Sequence, residues 1–437
     1  MSHVLVIPYP APGHLLPTLD LCNQLALKGL TLTILVTPKN LPLLQPLLSL
    51  HPSIETLVFP FPSHPNLPPG IENMQELPIS YIPSILSALS TFHDPLVQWF
   101  QSHSSPPIAI ITDSFFTTWT HPLASHLGIK NLAFSPLNAH GTLGWWKALE
   151  NRLKNFEHFV VEGRVVDMVT WGVILNSFNE LEEGMLEYLK KNVVGHDNIW
   201  AVGPFLPIGN DPLSASKKCG SSSIPETEVL HWLNSCHVDK SVVYIGFGSQ
   251  IRLTNNQMHA LADALENSGV RFIWSVKDPM KGANNELDYF NDHDGVIPDG
   301  FENRVAGRGL VVKGWAPQQA ILQHRAVGSY LTHCGWNSAM EGLLAGVLLL
   351  AWPMQADHFD NTKLLVDQLG VAVRVCEGLK TVPDSVNLAR VLVGSMSVTS
   401  DEKRSKAMEL GKLALNAAKH GGSSDIALDD LVKKLST

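Results

Sequence analysis

Two similar α/β halves, each built on a doubly wound parallel sheet, are the fold that this 437-residue sequence predicts. Three observations carry the expectation. Short apolar runs alternate with longer helical patterns, the alternation occurs twice, and a segment rich in Ser, Gly and Pro separates the two series.

In the first series the strands are expected at His3–Pro8, Leu30–Val36, Ile54–Phe59, Ile108–Thr112, Asn131–Ser135 and Val173–Asn176. Most are apolar or β-branched and end at Pro, Gly, Asp or Ser, as buried parallel strands do. The separating segment is 209–226, GNDPLSASKKCGSSSIPE, read as a flexible linker. The second series has strands expected at Ser241–Ile245, Val270–Val276, Leu310–Lys313, Gly328–Thr332, Val347–Ala351 and Val371–Val375. Thr254 and Gln257 form a capping box that opens a helix with Met258, Leu261 and Leu265 on one face. Residues 281–295 are polar and read as an exposed loop. After Gly421-Gly422 a last helix restarts at Ser423 or Ser424. The expected domains are 1–208 and 227–420, with 421–437 as a terminal helix. Ligands of open parallel sheets bind beyond the carboxyl ends of the strands, so two such halves are expected to face a cleft.

Composition narrows the function. Hydrophobic residues make up 45% and charged residues 16% of the chain, which supplies full cores and excludes a disordered protein. Net charge is −9 with no long basic run, so neither nucleic acid nor an anionic membrane is an expected partner. The five cysteines are scattered without a CxxC pair, which fits a reduced, cytoplasmic setting. The opening MSHVLVIPYP reads as a first strand and not as a signal peptide, and no apolar run approaches the length of a membrane span, about 18 residues.

The densest chemical signal runs from Trp315 to His358: WAPQQAILQHRAVGSYLTHCGWNSAMEGLLAGVLLLAWPMQADH. A strand ending at Thr332 hands over to a helix through His333-Cys334-Gly335-Trp336-Asn337-Ser338. Such a turn presents unpaired amides and the positive end of a helix dipole, a cradle for phosphate. Asn337, Ser338 and His333 add side-chain donors. Glu341 lies one turn into the helix, within reach of a ribose diol, and Trp315 offers a flat face to a base. The set reads as base, ribose and diphosphate.

A second constellation suits proton transfer. His14 precedes the apolar helical pattern Leu15, Leu19, Cys22 and Ala26, which puts it near a helix N-terminus, where the dipole favours the neutral imidazole. Asp113 projects from the carboxyl edge of the strand ending at Thr112, and a carboxylate behind a histidine fixes its tautomer. A hydroxyl is a weak nucleophile at neutral pH and needs such a base. Phe115, Phe116, Trp119, His140, Trp145 and Trp146 cluster after strands of the first half and suit either a flat aromatic ligand or the core. Asp292-His293-Asp294 resembles a metal-binding DxD element, but its place in a polar loop argues for a solvated turn, and no metal is expected.

The Trp315–His358 stretch resembles the signature box of plant secondary-product glycosyltransferases, the family 1 UDP-glycosyltransferases. The similarity extends from PAPGH near the start to GGSS near the end. The resemblance implies a GT-B fold, two Rossmann-like domains with the last helix crossing back to the first. It implies that Trp315 stacks on uracil, that Ala316 and Gln318 line base and ribose, and that Glu341 binds the ribose hydroxyls. His333, Asn337 and Ser338 would hold the diphosphate with Ser249 of the GFGSQ turn nearby, and Asp357 and His358 would hold the sugar. His14 and Asp113 match the family's base and its orienting acid, in a single inverting displacement with no metal or other cofactor.

Two positions depart from the common pattern: Leu348 stands where Pro is usual, and His358 where most glucose-using relatives have Gln. An imidazole offers one donor and one acceptor where the amide offers more, so an altered sugar preference is expected. Trp336 is counted among the UDP-binding residues and matches members that do not use glucuronic acid. Local wording, FPSHP, FSPLNAH, GFGSQIRLT and WPMQADH, is most similar to flavonol 7-O-rhamnosyltransferases. UDP-rhamnose is therefore the favoured donor, with Pro136 and Leu137 near the sugar, and a flavonol the favoured acceptor. A monomer is expected. Competing classes are a nicotinamide oxidoreductase, opposed because Gly246-Phe247-Gly248-Ser249-Gln250-Ile251 lacks a third Gly, a non-catalytic UDP-sugar-binding protein, and a GT-B phosphorylase or epimerase. UDP-glucose and UDP-galactose remain alternative donors.

Overall fold

The computed structural model describes residues 2–151, 160–161, 164–165, 170–205, 222–277, 295–397 and 400–437. Most of the expected linker and of the loop at 281–295, with Asp292-His293-Asp294, lies outside these. The chain forms two compact units, Met1–Ile208 with Ala414–Thr437, and Gly209–Leu413.

The first unit holds a parallel sheet of seven strands: β1 (His3–Ile7), β2 (Thr31–Val36), β3 (Glu55–Val58), β4 (Ala109–Asp113), β5 (Lys130–Ser135), β8 (Gly172–Leu175) and β9 (Ile199–Ala201). A two-residue antiparallel hairpin, β6 (Val160–Val161) with β7 (Arg164–Val165), stands apart from it. The order across the sheet is β3-β2-β1-β4-β5-β8-β9. Connections from β1 run one way and those from β4 the other, which makes the β1/β4 border a topological switch point. The sequence reading omits β9, because three apolar residues are too short to show a period. Its central Trp200 stacks on Trp171 with centroids 5.9 Å apart.

The second unit repeats the plan with β10 (Val242–Gly246), β11 (Arg271–Val276), β12 (Gly309–Lys313), β13 (Val327–Thr332), β14 (Leu348–Ala351) and β15 (Ala372–Arg374), ordered β12-β11-β10-β13-β14-β15 and parallel throughout. The switch point falls between β10 and β13. The Thr254/Gln257 capping box is formed and opens the helix Asn255–Ser268. Most strands lie within a residue or two of their expected bounds, because the flanking Gly, Pro and Asp residues fix the ends.

The terminal helix, Ser423–Ser436, belongs to the first unit. Leu428, Leu431 and Leu435 are buried in the core formed by β1, β2 and the helix Pro12–Leu27. Polar contacts fix its register. Trp200 Nε1 donates to Asp430 at 2.8 Å, Lys130 Nζ donates to the Lys434 carbonyl at 2.7 Å, and Lys28 pairs with Asp425 and Asp429. Trp200 therefore joins an edge strand to a helix more than 220 residues away in sequence. Leu431→Ala leaves a cavity in this core and is expected to cost about 3 kcal/mol. Urea unfolding would show it as a lower midpoint at unchanged slope; a loss below about 1 kcal/mol would mean that the helix is not part of the folding unit.

Candidate functional site

In the second unit the loops after β10 and β13 meet at the switch point, and the rest of the signature box follows β12 and β14. The helix Trp336–Leu344 starts at the carboxyl end of β13, and its N-cap is Gly335, which has no side chain with which to cap it. In the loop after β10, Ser249 sits half-buried. Gly248 and Gly335 flank the His333 ring. A Cβ on either would come within 2.5 Å of His333 Nε2, so only glycine admits the imidazole there. Cys334 holds the turn at φ 62, a left-handed conformation that non-glycine residues seldom adopt. Its amide donates to Thr332 Oγ1 at 3.2 Å and its carbonyl accepts from Asn361 Nδ2 at 2.9 Å.

Gln318 and Glu341 are already engaged with one another. Gln318 Nε2 donates to Glu341 at 2.6 Å and to Ser338 Oγ at 3.3 Å, while the buried Tyr330 hydroxyl donates to Gln318 Oε1 at 2.8 Å. The Glu341 carboxylate is thereby held one turn above the helix N-terminus. Lys277 Nζ lies 4.7 Å from the Trp315 ring centroid, over its face. Ala316 is buried beside them. Trp336, expected at the nucleotide, is only 2% exposed.

Asp357 and His358 open the short helix His358–Thr362. The buried Asn361 joins them to the phosphate turn, because its Nδ2 donates both to Asp357 at 2.7 Å and to the Cys334 carbonyl. Nothing in the sequence reading singled out Asn361; its only signal is a polar residue one turn after Asp357. His333 and His358 meet edge to face with centroids 4.6 Å apart. Burial holds both imidazoles below the usual histidine pKa; for His333 the neighbouring charges of His358 and Lys277 act in the same direction. The Gln355 amide donates to His358 Nδ1 at 3.3 Å, which leaves the proton of the neutral ring on Nε2.

In the first unit the switch point joins the proton-transfer pair. His14 is the third residue of the helix Pro12–Leu27, and its Nδ1 lies 2.8 Å from Asp113 Oδ2 at the end of β4. The Asp113 side chain is fully buried and its other oxygen accepts the Phe115 amide at 2.9 Å. A carboxylate only accepts, so Nδ1 carries the proton and Nε2 is left as the basic nitrogen. The His14 side chain is 21% exposed.

The expected aromatic residues divide. The Phe115 ring lies 4.7 Å from His14 and 5.2 Å from Trp145, which makes a platform beside the base. Trp119 is only 7% exposed, packs with Phe116 and Leu123, and serves the core. Pro136 and Leu137 occupy the turn after β5. His140, in the first turn of the helix Ala139–Asn151, bonds Glu182 at 2.6 Å. Tyr9, which the sequence reading passed over, packs edge-on to both His14 and Phe115, at 5.2 and 5.0 Å.

The sequence and the fold are similar to those of known proteins. The profile of the family described as UDP-glucoronosyl and UDP-glucosyl transferase matches residues 208–408. The chain is 49% identical to a flavonol 7-O-rhamnosyltransferase of Arabidopsis thaliana, over 99% of its own length and 98% of the relative's. It is 43% identical to a flavonol 3-O-glucosyltransferase of the same plant, over 99% and 96%. Among solved structures it is similar to Arabidopsis thaliana UGT89C1 complexed with UDP-L-rhamnose, at 46% identity and a TM-score of 0.88, covering 100% and 99% of the two chains. The same protein complexed with quercetin matches with a TM-score of 0.86. The two parallel-sheet α/β units are thus those of the GT-B fold.

The buried imidazole pair makes a pH prediction. A histidine whose folded pKa is depressed lets the unfolded chain take up protons first, so its stabilisation is complete above the unfolded value of about 6.5 and is lost as pH falls below it. The melting temperature is expected to fall between pH 7.5 and 5.5, and His358→Gln, which removes one of the two groups, to lessen that fall. An equally steep fall in the variant would show that His358 does not titrate this way.

Proposed function

The chain belongs to the UDP-glucoronosyl and UDP-glucosyl transferase family, and from that membership we propose that it transfers rhamnose from UDP-rhamnose to the 7-hydroxyl of a flavonol. The observation that carries the reading is the hydrogen-bonded His14–Asp113 pair at one switch point together with the His333–Glu341 turn and helix at the other. The donor and the position are supported by the 49% identical flavonol 7-O-rhamnosyltransferase, by the UDP-L-rhamnose complex of the similar structure, and by His358 at the sugar position. The 43% identical 3-O-glucosyltransferase gives the competing assignment.

In the proposed mechanism the helix Trp336–Leu344 receives the diphosphate on its N-terminal amides, with His333, Asn337, Ser338 and Ser249 beside it. Uracil stacks on Trp315, and the ribose diol takes Glu341 in place of Gln318. Asp357 and His358 read the sugar hydroxyls, with Pro136 and Leu137 at the sugar. The Nε2 of His14 accepts the phenolic proton as the oxygen attacks the anomeric carbon, UDP leaves with inversion, and Asp113 stabilises the imidazolium. Developing phosphate charge is met by amides and His333, so the reading needs no metal. It treats the chain as a cytoplasmic monomer.

Asp113→Asn keeps the contact but offers the wrong hydrogen-bonding partner, and is expected to lower kcat by about 10³-fold or more. His14→Ala should abolish transfer, with UDP binding by calorimetry retained in both variants. Loss of UDP binding, or transfer at the unaltered rate, would defeat the assignment of the pair. A donor panel with kaempferol or quercetin, read by mass, is expected to favour UDP-rhamnose over UDP-glucose and UDP-galactose. His358→Gln should shift preference toward UDP-glucose, and a wild-type preference for glucose would overturn the donor assignment. Addition of EDTA should leave the rate unaltered, and inhibition reversed by a divalent cation would sink the metal-free mechanism.

A further inference from the structure

Glu182 stands outside every group so far given a role, yet it is the most heavily bonded buried carboxylate among the described residues of the first unit. It lies in the helix Asn179–Tyr188, where its own backbone leaves helical geometry (φ −142, ψ 28), and its side chain is fully buried. Four donors converge on it. The amides of Ala139 and His140 each donate at 2.9 Å, His140 Nδ1 lies at 2.6 Å, and the Ser177 hydroxyl completes the set. Among the described residues no Lys or Arg pairs with it; two amides of a helix N-terminus, a hydroxyl and an imidazole satisfy the charge.

The arrangement repeats that of Asp113 and His14. In both pairs a buried carboxylate takes a nearby amide with one oxygen and a partly exposed imidazole through Nδ1, at the carboxyl edge of the same sheet. Nδ1–H faces the carboxylate, so Nε2 of His140 is an acceptor, and among the described residues it makes no hydrogen bond. The His140 side chain is 22% exposed, close to the 21% of His14. The strands that carry the two histidines, β1 and β5, are separated by β4 alone, a spacing of about 10 Å. Phe115 contacts both His14 and Trp145, and Trp145 follows His140 by five residues in the same helix. Two carboxylate-held imidazoles on loops from strands two apart in one sheet, with Phe115 and Trp145 packed beside the first, suit a flat phenol that carries hydroxyls at both ends.

We propose that Glu182 is a positioning residue that holds the Pro136–His140 turn and presents His140 Nε2 to a second hydroxyl of the acceptor, so that the Glu182–His140 pair selects which hydroxyl reaches His14. The proposal rests on the reading of the chain as a transferase acting on phenols. It adds that the substrate is a polyhydroxylated flat phenol, bound at both ends. His140 determines specificity, and Glu182 acts through it.

The test compares kaempferol with 7-hydroxyflavone, which has the same 7-hydroxyl and no other. Wild-type enzyme, His140→Ala, Glu182→Asp and the double variant are assayed with UDP-rhamnose, UDP-glucose and UDP-galactose, and the glycosylated position is determined by NMR. His140→Ala should lower the ratio of kcat/KM for kaempferol over 7-hydroxyflavone about tenfold, the worth of one hydrogen bond, mainly through KM. It should also broaden the set of positions glycosylated. Glu182→Asp keeps the charge, draws the carboxylate back by one methylene, and should shift the ratio in the same direction. The double variant should shift it no further than His140→Ala alone, because one residue acts through the other. Equal losses on the two acceptors, an unaltered ratio, or additive effects would overturn the proposal while leaving the transferase reading intact. A wild-type protein that glycosylates neither phenol with any donor would overturn both.

Discussion

Strand order is the constraint on which this molecule depends. In each unit one pair of neighbouring parallel strands sends its connections in opposite directions, β1 with β4 in the first and β10 with β13 in the second. The loops leaving those strands diverge, and the edge between them is the one place where backbone amides and side chains from separate segments can converge without burying unpaired groups. The His14–Asp113 pair, 99 residues apart in sequence, meets at one such edge. The phosphate turn and the Gly248 loop meet at the other, where the two glycines leave room for the His333 ring.

Electrostatics then sorts the ionisable groups at these edges. Buried carboxylates are costly unless they accept hydrogen bonds, and Asp113 and Glu182 each take an imidazole and at least one amide. Buried imidazoles are kept uncharged by the same loss of hydration, as His333 and His358 are. In the proposed reaction one proton and one diphosphate change partners, and both groups of residues suit it. The base keeps an oriented, partly exposed nitrogen, and the sugar-side imidazoles supply hydrogen-bond directions without net charge. Asn361 and Gln318 perform the linking: one joins the phosphate turn to Asp357, the other holds Glu341 ready to exchange an amide for a ribose.

The amino-acid sequence by itself determined the strand inventory apart from β9 and the small hairpin, the capping box, and the signature residues from Trp315 to His358. These are encoded within windows of a few to a few dozen residues, where period, punctuation and spacing are local properties of the chain. Tertiary structure decided the rest. It buried Trp119 and Trp336, because burial depends on what packs above a residue and not on its neighbours in sequence. It brought Glu182 to His140 across 42 positions and Trp200 to Asp430 across 230. Pairings over such separations arise only when sheet order sets which loops share an edge, and no local pattern in either partner specifies the other.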